Sequence, residues 1–336
     1  MKAYRIVGQF GLDHLELGEL PDPHPGPGEV LVRVKAVSLN ARDLRMVLGE
    51  YNPRQKLPLI PCSDGAGEVV EVGAAVRNVK TGDRVTSVFA SGWLSGEPTR
   101  QKLATTLGGP LDGMLTELRA LPEDAVLPMP GHLSFEEAST LPCAAVTAWR
   151  ALVTEGRLKA GDTVLVQGTG GVAMFGLQIA RLMGARVIAI SSSDHKLDRA
   201  RELGAAHGIN YLTTPGWHTE AKALTGKVGV DHILDVGGAS TLERSLMAVR
   251  MGGQISVIGV LGGAQGPVNL IPILMQNVRL QGVLVGTREE LSAMNRAFEL
   301  NQLRPVVDRV FDYGEARAAF EHLASGKHFG KVVIRV

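Results

Sequence analysis

The stretch that decides the fold of this chain is Thr163–Ala173, TVLVQGTGGVA. The run Thr163–Gln167 is apolar and rich in β-branched residues, which is typical of a buried strand. The glycines at positions 168 and 170 interrupt this run, and the small and apolar residues of Val172–Met183 then predict a helix. Strand, glycine loop and helix therefore follow one another without a break.

The spacing Gly168-x-Gly170-x-x-Ala173 is typical of a loop that binds a dinucleotide. Gly168 permits a tight turn, Gly170 has no Cβ to block a pyrophosphate, and Ala173 lets the helix pack closely on the strand. Free N–H groups at the start of the helix would face the phosphates. The alternative is a purely structural turn, since 41 glycines can produce such a spacing by chance. The order of elements favours a dinucleotide loop, which consists of Gly168, Thr169, Gly170, Gly171, Val172 and Ala173.

Strands and helices continue to alternate after this loop. Strands are predicted at Arg186–Ile190, Val230–Val236 and Gly253–Val260, with helices at His195–Leu203 and Leu242–Arg250 between them. Strands that are apolar throughout and separated by helices predict a parallel sheet buried on both faces. This part of the chain is therefore of the α/β class.

The first 125 residues follow a different pattern. Short β-branched runs at Val30–Val37, Gly67–Val72 and Asp83–Val88 are separated by proline and glycine turns, which predicts antiparallel strands. Ser134 and Glu137 have the spacing of a capping box and predict the start of a helix. A length of 336 residues is consistent with two domains, at about 150 residues per domain.

Composition excludes several classes of protein. The 35 Lys and Arg residues nearly balance the 34 Asp and Glu residues, which argues against a nucleic-acid partner bound through counterion release. The two cysteines, Cys62 and Cys143, cannot form a disulfide framework or a four-cysteine zinc lobe. No apolar run has the roughly 18 residues of a membrane span, and Met1–Phe10 has no signal-peptide core. We therefore expect a cytoplasmic protein with no membrane partner.

The residues after the second predicted strand bear on the choice of dinucleotide. An NAD site usually has an acidic residue at the end of this strand, whereas this chain has Ser191, Ser192 and Ser193, followed by Asp194 and Lys196. Hydroxyls and a lysine suit a 2′-phosphate, so Ser191, Ser192 and Lys196 predict NADP(H) in preference to NAD(H). We interpret Asp194 as a helix N-cap. A polar turn with a solvated lysine is the alternative.

Several motifs along the chain carry a family resemblance. They are Asn40-Ala-Arg-Asp43, Pro61-Cys-Ser-Asp-Gly-Ala-Gly-Glu68, Gly82-Asp-Arg-Val85, Leu141-Pro-Cys-Ala-Ala-Val-Thr-Ala-Trp149, the dinucleotide loop and Phe329-Gly-Lys-Val-Val-Ile334. With these motifs the chain resembles the medium-chain dehydrogenase/reductase superfamily, and within it the zinc-free quinone oxidoreductase-like branch. The resemblance extends over essentially the whole chain.

The resemblance implies a fold and an assembly. It implies a GroES-like β-barrel catalytic domain from residues 1–125 and 269–336, a Rossmann domain with a doubly wound parallel sheet at residues 126–268, and a cleft at their junction. It also implies a homodimer. The residues that it implies around the cofactor, besides those above, are Thr147, Tyr211, Val260, Leu261 and Val285.

The resemblance also suggests that this chain works without catalytic zinc. The ligand positions of the zinc-dependent relatives fall on Asn40, Ser63 and Cys143, of which only the cysteine is a good zinc ligand. A rearranged site formed by Cys62, Asp64 and Cys143 is the alternative.

Without a metal, hydride addition to a quinone or an α,β-unsaturated carbonyl is easier than alcohol oxidation. The negative charge that develops on the oxygen of such an acceptor can be stabilised by ordinary hydrogen-bond donors. Asn40, Arg42 and Tyr51 are the candidate donors, and Asp43 orients their loop. The alternative role of Arg42 is a surface salt bridge to Asp43 or Glu50.

The irregular stretch Ala90–Leu115 offers candidate substrate contacts. Trp93 and Met114 are expected to line the substrate site, and the alternative is that Trp93 only packs its loop onto the barrel. The sequence therefore predicts an NADPH-dependent reductase of quinones or enones. The alternatives are an alcohol or aldehyde dehydrogenase with a residual metal site, an enoyl-thioester reductase and a non-catalytic NADPH-binding protein.

Overall fold

The computed structural model describes all residues, Met1–Val336. Its strands are β1 (Lys2–Ile6), β2 (Leu15–Glu19), β3 (Glu29–Leu39), β4 (Asp64–Val72), β5 (Arg84–Ser87), β6 (Leu118–Pro122), β7 (Val126–Pro128), β8 (Thr163–Gln167), β9 (Arg186–Ser191), β10 (His207–Asn210), β11 (Val230–Asp235), β12 (Val249–Val257), β13 (Arg279–Gly282), β14 (Val307–Asp312) and β15 (Lys331–Arg335).

The α-helices are α1 (Ala41–Val47), α2 (Arg100–Leu103), α3 (Phe135–Ala138), α4 (Val146–Trp149), α5 (Gly171–Leu182), α6 (Asp194–Glu202), α7 (Trp217–Ala223), α8 (Leu242–Ala248), α9 (Ile271–Met275), α10 (Arg288–Leu300) and α11 (Ala316–Ala324). Short π-helices at Leu141–Ala145 and Arg150–Thr154 flank α4. None of the helices is both long and apolar enough to cross a bilayer.

The chain forms two compact units, and the first is interrupted by the second. The first unit consists of Met1–Val146 and Gly286–Val336, and the second of Thr147–Val285. The expected limits at residues 126 and 268 thus shift toward the C-terminus. The reason is pairing: β7 hydrogen-bonds to β5 of the first unit, and β13 hydrogen-bonds to β12 of the second.

The second unit is built on a parallel sheet with the strand order β10-β9-β8-β11-β12-β13. The central strand β8 pairs with β9 on one side and with β11 on the other, and all of its residues are buried. Helices therefore cover both faces of this sheet, as the alternation of elements predicts. The doubly wound parallel sheet is confirmed.

The predicted boundaries around β12 are wrong, and its end lies at Val257 rather than at Val260. Helix α8 ends at Ala248 and β12 begins at Val249, whereas the sequence predicted a helix to Arg250 and a strand from Gly253. The cause is a bulge, because the pairing with β11 shifts between Val230 and His232. Gly252 lies in this bulge with a φ of +71°, so its glycine signal marks an irregular strand rather than a boundary.

The sheet of the first unit is centred on the long strand β3. This strand pairs antiparallel with β4, β6 and β15, and the first seven strands pair only in antiparallel fashion, which confirms the prediction for this region. The C-terminal strand β15 also pairs with β14, in parallel. The end of the chain is thus built into the sheet that β3 begins.

We expect Leu165→Ala to destabilise the protein by about 2–5 kcal/mol, because Leu165 is fully buried in the middle of β8 and its removal leaves a cavity. Urea unfolding followed by circular dichroism measures the loss as a lower midpoint. Leu212→Ala is the matched control in the same unit, since Leu212 is exposed and should change the midpoint little. Equal midpoints for the two variants would contradict the assignment of β8 as the core strand.

Candidate functional site

The dinucleotide loop joins β8 to α5. Gly168 follows the strand with a φ of +75°, a left-handed conformation that favours glycine, and Gly170 is the N-cap of α5. The first hydrogen bond of the helix runs from Met174 N to Gly170 O. The preceding N–H groups of the first turn therefore have no partner within the helix and are suited to phosphate oxygens.

Most of the predicted cofactor residues lie at the same edge of the parallel sheet. Ser191 ends β9, Tyr211 follows β10, Val260 and Leu261 come after β12, and Val285 comes after β13. Because the carboxyl ends of parallel strands lie at one edge, these residues are spread along the same edge of the sheet as Gly168–Ala173. Thr147 is placed differently, buried in helix α4.

The polar turn after β9 is organised by its own hydrogen bonds. The prediction that Asp194 is an N-cap is wrong: Ser193 caps α6, and its hydroxyl accepts a bond from Lys196 N at 3.4 Å. Ser191 Oγ accepts a bond from Ser193 N at 3.3 Å. Asp194 Oδ1 instead accepts a bond from Asn210 Nδ2 at 2.9 Å, so this carboxylate is tied to the neighbouring strand.

Asp235, at the end of β11, is a residue of this edge that the sequence analysis missed. It is fully buried and accepts five hydrogen bonds. Their donors are Gly237 N, Gly238 N and Thr241 Oγ1 on Oδ1, and Gln167 Nε2 and Ser245 Oγ on Oδ2. Asp235 thereby fixes the loop after β11. Its position at the end of an apolar strand, two residues before Gly237, was the available signal.

A second cluster of polar residues lies in the first unit, around Asn40 at the end of β3. Asn40 is only 8% exposed, and its backbone N donates to Asp43 Oδ2 at 2.9 Å. Its side-chain Oδ1 accepts a hydrogen bond from Lys331 Nζ at 2.5 Å. Lys331 was not predicted as a site residue, because β15 reaches Asn40 only through a pairing between the two ends of the chain.

Arg42 and Asp43 form a buried ion pair rather than a surface one. Arg42 Nη1 lies 3.0 Å from Asp43 Oδ1, and both side chains are buried. The guanidinium also donates to the carbonyls of Leu107, Gly108 and Gly109 at 3.1–3.4 Å. It lies 5.1 Å from the centroid of the Tyr51 ring. Arg42 therefore holds the loop at residues 107–109, and the half-exposed Tyr51 covers the guanidinium.

Asp64 is the second buried carboxyl of this cluster. Its Oδ1 accepts a bond from the Ser63 hydroxyl at 2.6 Å and its Oδ2 accepts one from Cys143 N at 3.1 Å. Burial raises the pKa of Asp64 from 3.8 to about 6, and the Lys331 ammonium acts in the opposite direction. Burial also raises the pKa of Cys62 and of Cys143 well above the ordinary thiol value, so both remain protonated thiols at neutral pH.

The two candidate substrate-lining residues are buried in the first unit. Trp93 Nε1 donates to Gly96 O at 2.8 Å within its own loop, and Met114 packs against Gly65 in the core. The same loop contains helix α2. Both side chains are thus fixed by contacts within the first unit.

The raised pKa of Asp64 predicts a pH dependence of stability. Between pH 4 and 6 the folded state holds a proton at Asp64 that the unfolded chain has lost, so this group stabilises at low pH and its contribution disappears as pH rises through 6. Relative to Asp64→Asn, the wild type should lose about 2 kcal/mol between pH 4 and pH 7. Urea midpoints at each pH measure this, with the exposed Asp124→Asn as control. Parallel pH curves for wild type and Asp64→Asn would contradict the shift.

Comparison with known proteins identifies the family. The model of the alcohol dehydrogenase GroES-like domain matches residues 26–131, and the zinc-binding dehydrogenase model matches residues 171–299. The zinc-type alcohol dehydrogenase-like protein of Schizosaccharomyces pombe is 42% identical over 97% of this chain and 96% of its own length. A chloroplastic quinone oxidoreductase of Triphysaria versicolor is 30% identical over 97% of this chain and 94% of its own length.

A solved structure supports the same assignment. An NAD-dependent alcohol dehydrogenase superposes with a TM-score of 0.92 at 35% identity, with 100% of both chains covered. The two matched family models also correspond to the two kinds of domain that the motifs imply, one GroES-like and one Rossmann-like. The chain therefore belongs to the medium-chain dehydrogenase/reductase superfamily and is an NAD(P)-dependent oxidoreductase of that family.

Proposed function

We propose that this protein is an NADPH-dependent reductase that transfers a hydride to a quinone or an α,β-unsaturated carbonyl without catalytic zinc. The observation that supports the proposal most is the chemistry around Asn40. A buried amide and a buried ammonium stand together there, and the only sulfur groups of the cluster are protonated thiols. Such a site offers hydrogen-bond donors to an anionic oxygen.

The residues present do not fit the zinc that the family description implies. A catalytic zinc needs about three ligands of the cysteine, histidine or carboxylate kind. In this structure no group of three or more such side chains could hold a metal ion. Asn40 Oδ1 already accepts a bond from an ammonium, which would repel a dication, and the Ser63 hydroxyl donates to Asp64. We therefore assign no step to a metal.

The reduction of a conjugated carbonyl suits these groups. When a hydride adds to such an acceptor, the negative charge moves to its oxygen, where a preorganised N–H donor stabilises it. We assign this role to the Asn40 amide. We assign Arg42 and Asp43 to positioning, since their charges hold each other and the loop at residues 107–109.

Tyr51 is our candidate for delivering a proton to the product. Its side chain is 45% exposed and lies against the Arg42 guanidinium. Solvent is the alternative proton source, because a hydroquinone dianion takes protons from water without a dedicated acid. We leave Trp93 and Met114 as candidates for substrate contact through their loop.

The cofactor that fits the second unit is a nicotinamide dinucleotide, which supplies the hydride when bound. The free N–H groups at the start of α5 fit its phosphates, and the left-handed Gly168 keeps the approach to them free of a side chain. We propose that Ser191, Ser192 and Lys196 hold the 2′-phosphate of NADP(H). The hydrogen bond from Asn210 to Asp194 supports this choice, because it holds the carboxylate next to these residues against the neighbouring strand.

Two alternative functions have some support. An alcohol or aldehyde dehydrogenase is suggested by the names of the relative from Schizosaccharomyces pombe and of the solved structure. It would require a metal at Cys62, Asp64 and Cys143, against the raised pKa values of both thiols. A non-catalytic NADPH-binding protein would need only the sheet edge of the second unit.

We also propose that the protein is a homodimer. Strand β13 is the last strand of the parallel sheet, so its outer edge is unpaired within the chain. The segment around it exposes large apolar side chains, namely Val268, Leu270, Ile271, Leu274, Met275, Leu280 and Leu284. An apolar surface beside an open strand edge is typical of an interface, and a second copy of the chain would cover it.

We expect the purified protein to oxidise NADPH with a quinone or an enone faster than with a saturated aldehyde, and to be unaffected by a chelator. The Kd for NADPH should be about tenfold lower than that for NADH, the effect of one charge-assisted bond to the 2′-phosphate. Steady-state absorbance and fluorescence titration measure both quantities. Aldehyde turnover that a chelator abolishes would favour the metal-dependent alternative. NADPH binding without any turnover would favour the binding protein.

We expect Leu274→Asp to convert a dimer to a monomer of 35.7 kDa, because Leu274 is 79% exposed at the centre of the apolar segment. Size-exclusion chromatography with light scattering measures the mass. Leu300→Asp is the matched control, as Leu300 is 84% exposed in the other unit and should leave the dimer intact. A wild-type protein that is monomeric at micromolar concentration would overturn the proposal.

A further inference from the structure

Lys331 is a buried cation that the roles proposed above do not use. It is the first residue of β15 and only 3% exposed. Because β15 pairs antiparallel with β3 through Val332 and Leu39, Lys331 lies beside Asn40 at the point where β3 ends. Its Nζ donates to Leu39 O at 2.6 Å and to Asn40 Oδ1 at 2.5 Å.

The ammonium determines which way the Asn40 amide faces. An ammonium group has only donors, so the amide atom beside it has to be the oxygen. The Nδ2 group of Asn40 then points away from Lys331. It is buried and lies toward the Asp64 carboxyl, whose charged form it favours, but no hydrogen bond of ordinary geometry satisfies it within the chain. A buried N–H donor without a partner is costly, so this group is suited to receive an oxygen from a ligand.

The charges around this pair support the same orientation. Asp43 has Arg42 as its ion-pair partner at 3.0 Å. Asp64 accepts bonds from Ser63 Oγ and Cys143 N, and both the Lys331 ammonium and the Asn40 amide favour its charged form. Lys331 thus provides positive charge beside the second carboxyl while it binds the amide oxygen.

We propose that Lys331 is a positioning residue of this site, which holds the Asn40 carboxamide by its oxygen so that Nδ2 is presented as a donor to the oxygen of the acceptor substrate. The inference rests on the proposed function, in which Asn40 stabilises the charge on a reduced quinone or enone. It adds that the buried lysine at the other end of the chain sets the direction of that donor.

The test compares variants of the full-length protein by steady-state kinetics with NADPH and a quinone. Lys331→Met removes the ammonium but keeps an unbranched side chain, and Asn40→Asp keeps an oxygen for Lys331 but removes the amide donor. We expect each to lower kcat by about a hundredfold, the usual effect of losing an oxyanion donor. The KM for NADPH should remain within about twofold, since only a step after binding is affected. Lys327→Met is the matched control, because Lys327 is exposed on the same segment.

The double variant separates positioning from an independent role. If Lys331 acts through Asn40, Lys331→Met together with Asn40→Asp should be no slower than either single variant, whereas independent roles would multiply the two losses. Multiplied losses would overturn the inference. Thermal melts and NADPH binding check that each variant is folded. Should Lys331→Met fail to fold, Lys331→Gln replaces it, because a neutral amide can face Asn40 with either its donor or its acceptor.

The remaining outcomes distinguish this inference from the proposed function. Full activity of Lys331→Met beside an impaired Asn40→Asp would overturn the role of Lys331 and leave the proposed function intact. Full activity of Asn40→Asp would overturn the donor role of Asn40, and the inference with it. Impairment of both single variants without a further loss in the double variant supports the inference.

Discussion

The pairing of β15 with β3 is the contact on which the first unit depends. It joins residues that are separated by nearly the whole chain, and it extends the sheet that β3, β4 and β6 begin. It also buries Lys331 beside Asn40. The polar cluster of this unit is therefore a product of topology. Asn40, Asp43 and Asp64 come from the first part of the chain, and the cation beside Asn40 comes from the last strand.

The second unit could be predicted in detail from the sequence because its signals are local. The run Thr163–Ala173 combines a strand, a glycine loop and a helix within a few residues, and each is determined by neighbouring side chains. The predicted element boundaries were wrong where one local residue pattern is compatible with two structures. The strand was predicted to start at Gly253, yet β12 starts at Val249 and Gly252 lies inside its bulge. Ser193 and Asp194 are both good N-caps, and only the geometry of the turn selects the serine.

The polar clusters could be predicted only in part, because their decisive contacts are distant in sequence. Asn40, Arg42 and Asp43 were found from a short motif, but the burial of Arg42 depends on carbonyls at residues 107–109. Lys331 lies in a recognised motif and Asp235 precedes two glycines, but neither signal indicates a buried charge, since one begins an apolar terminal strand and the other ends an apolar central strand. Both are buried charges with fixed hydrogen-bond partners, a property that composition and periodicity do not reveal.

The division of the chain has a consequence for the order of folding. The second unit is a continuous segment, Thr147–Val285, so all of its contacts can form once that segment has been synthesised. The first unit lacks β14 and β15 until residue 335 is made, and until then Ala36–Leu39 of β3 have one edge unpaired. A strand edge left open through most of synthesis is a site for wrong pairing between chains. The long interval between β3 and β15 thus makes the first unit the slower and more aggregation-prone half of the molecule.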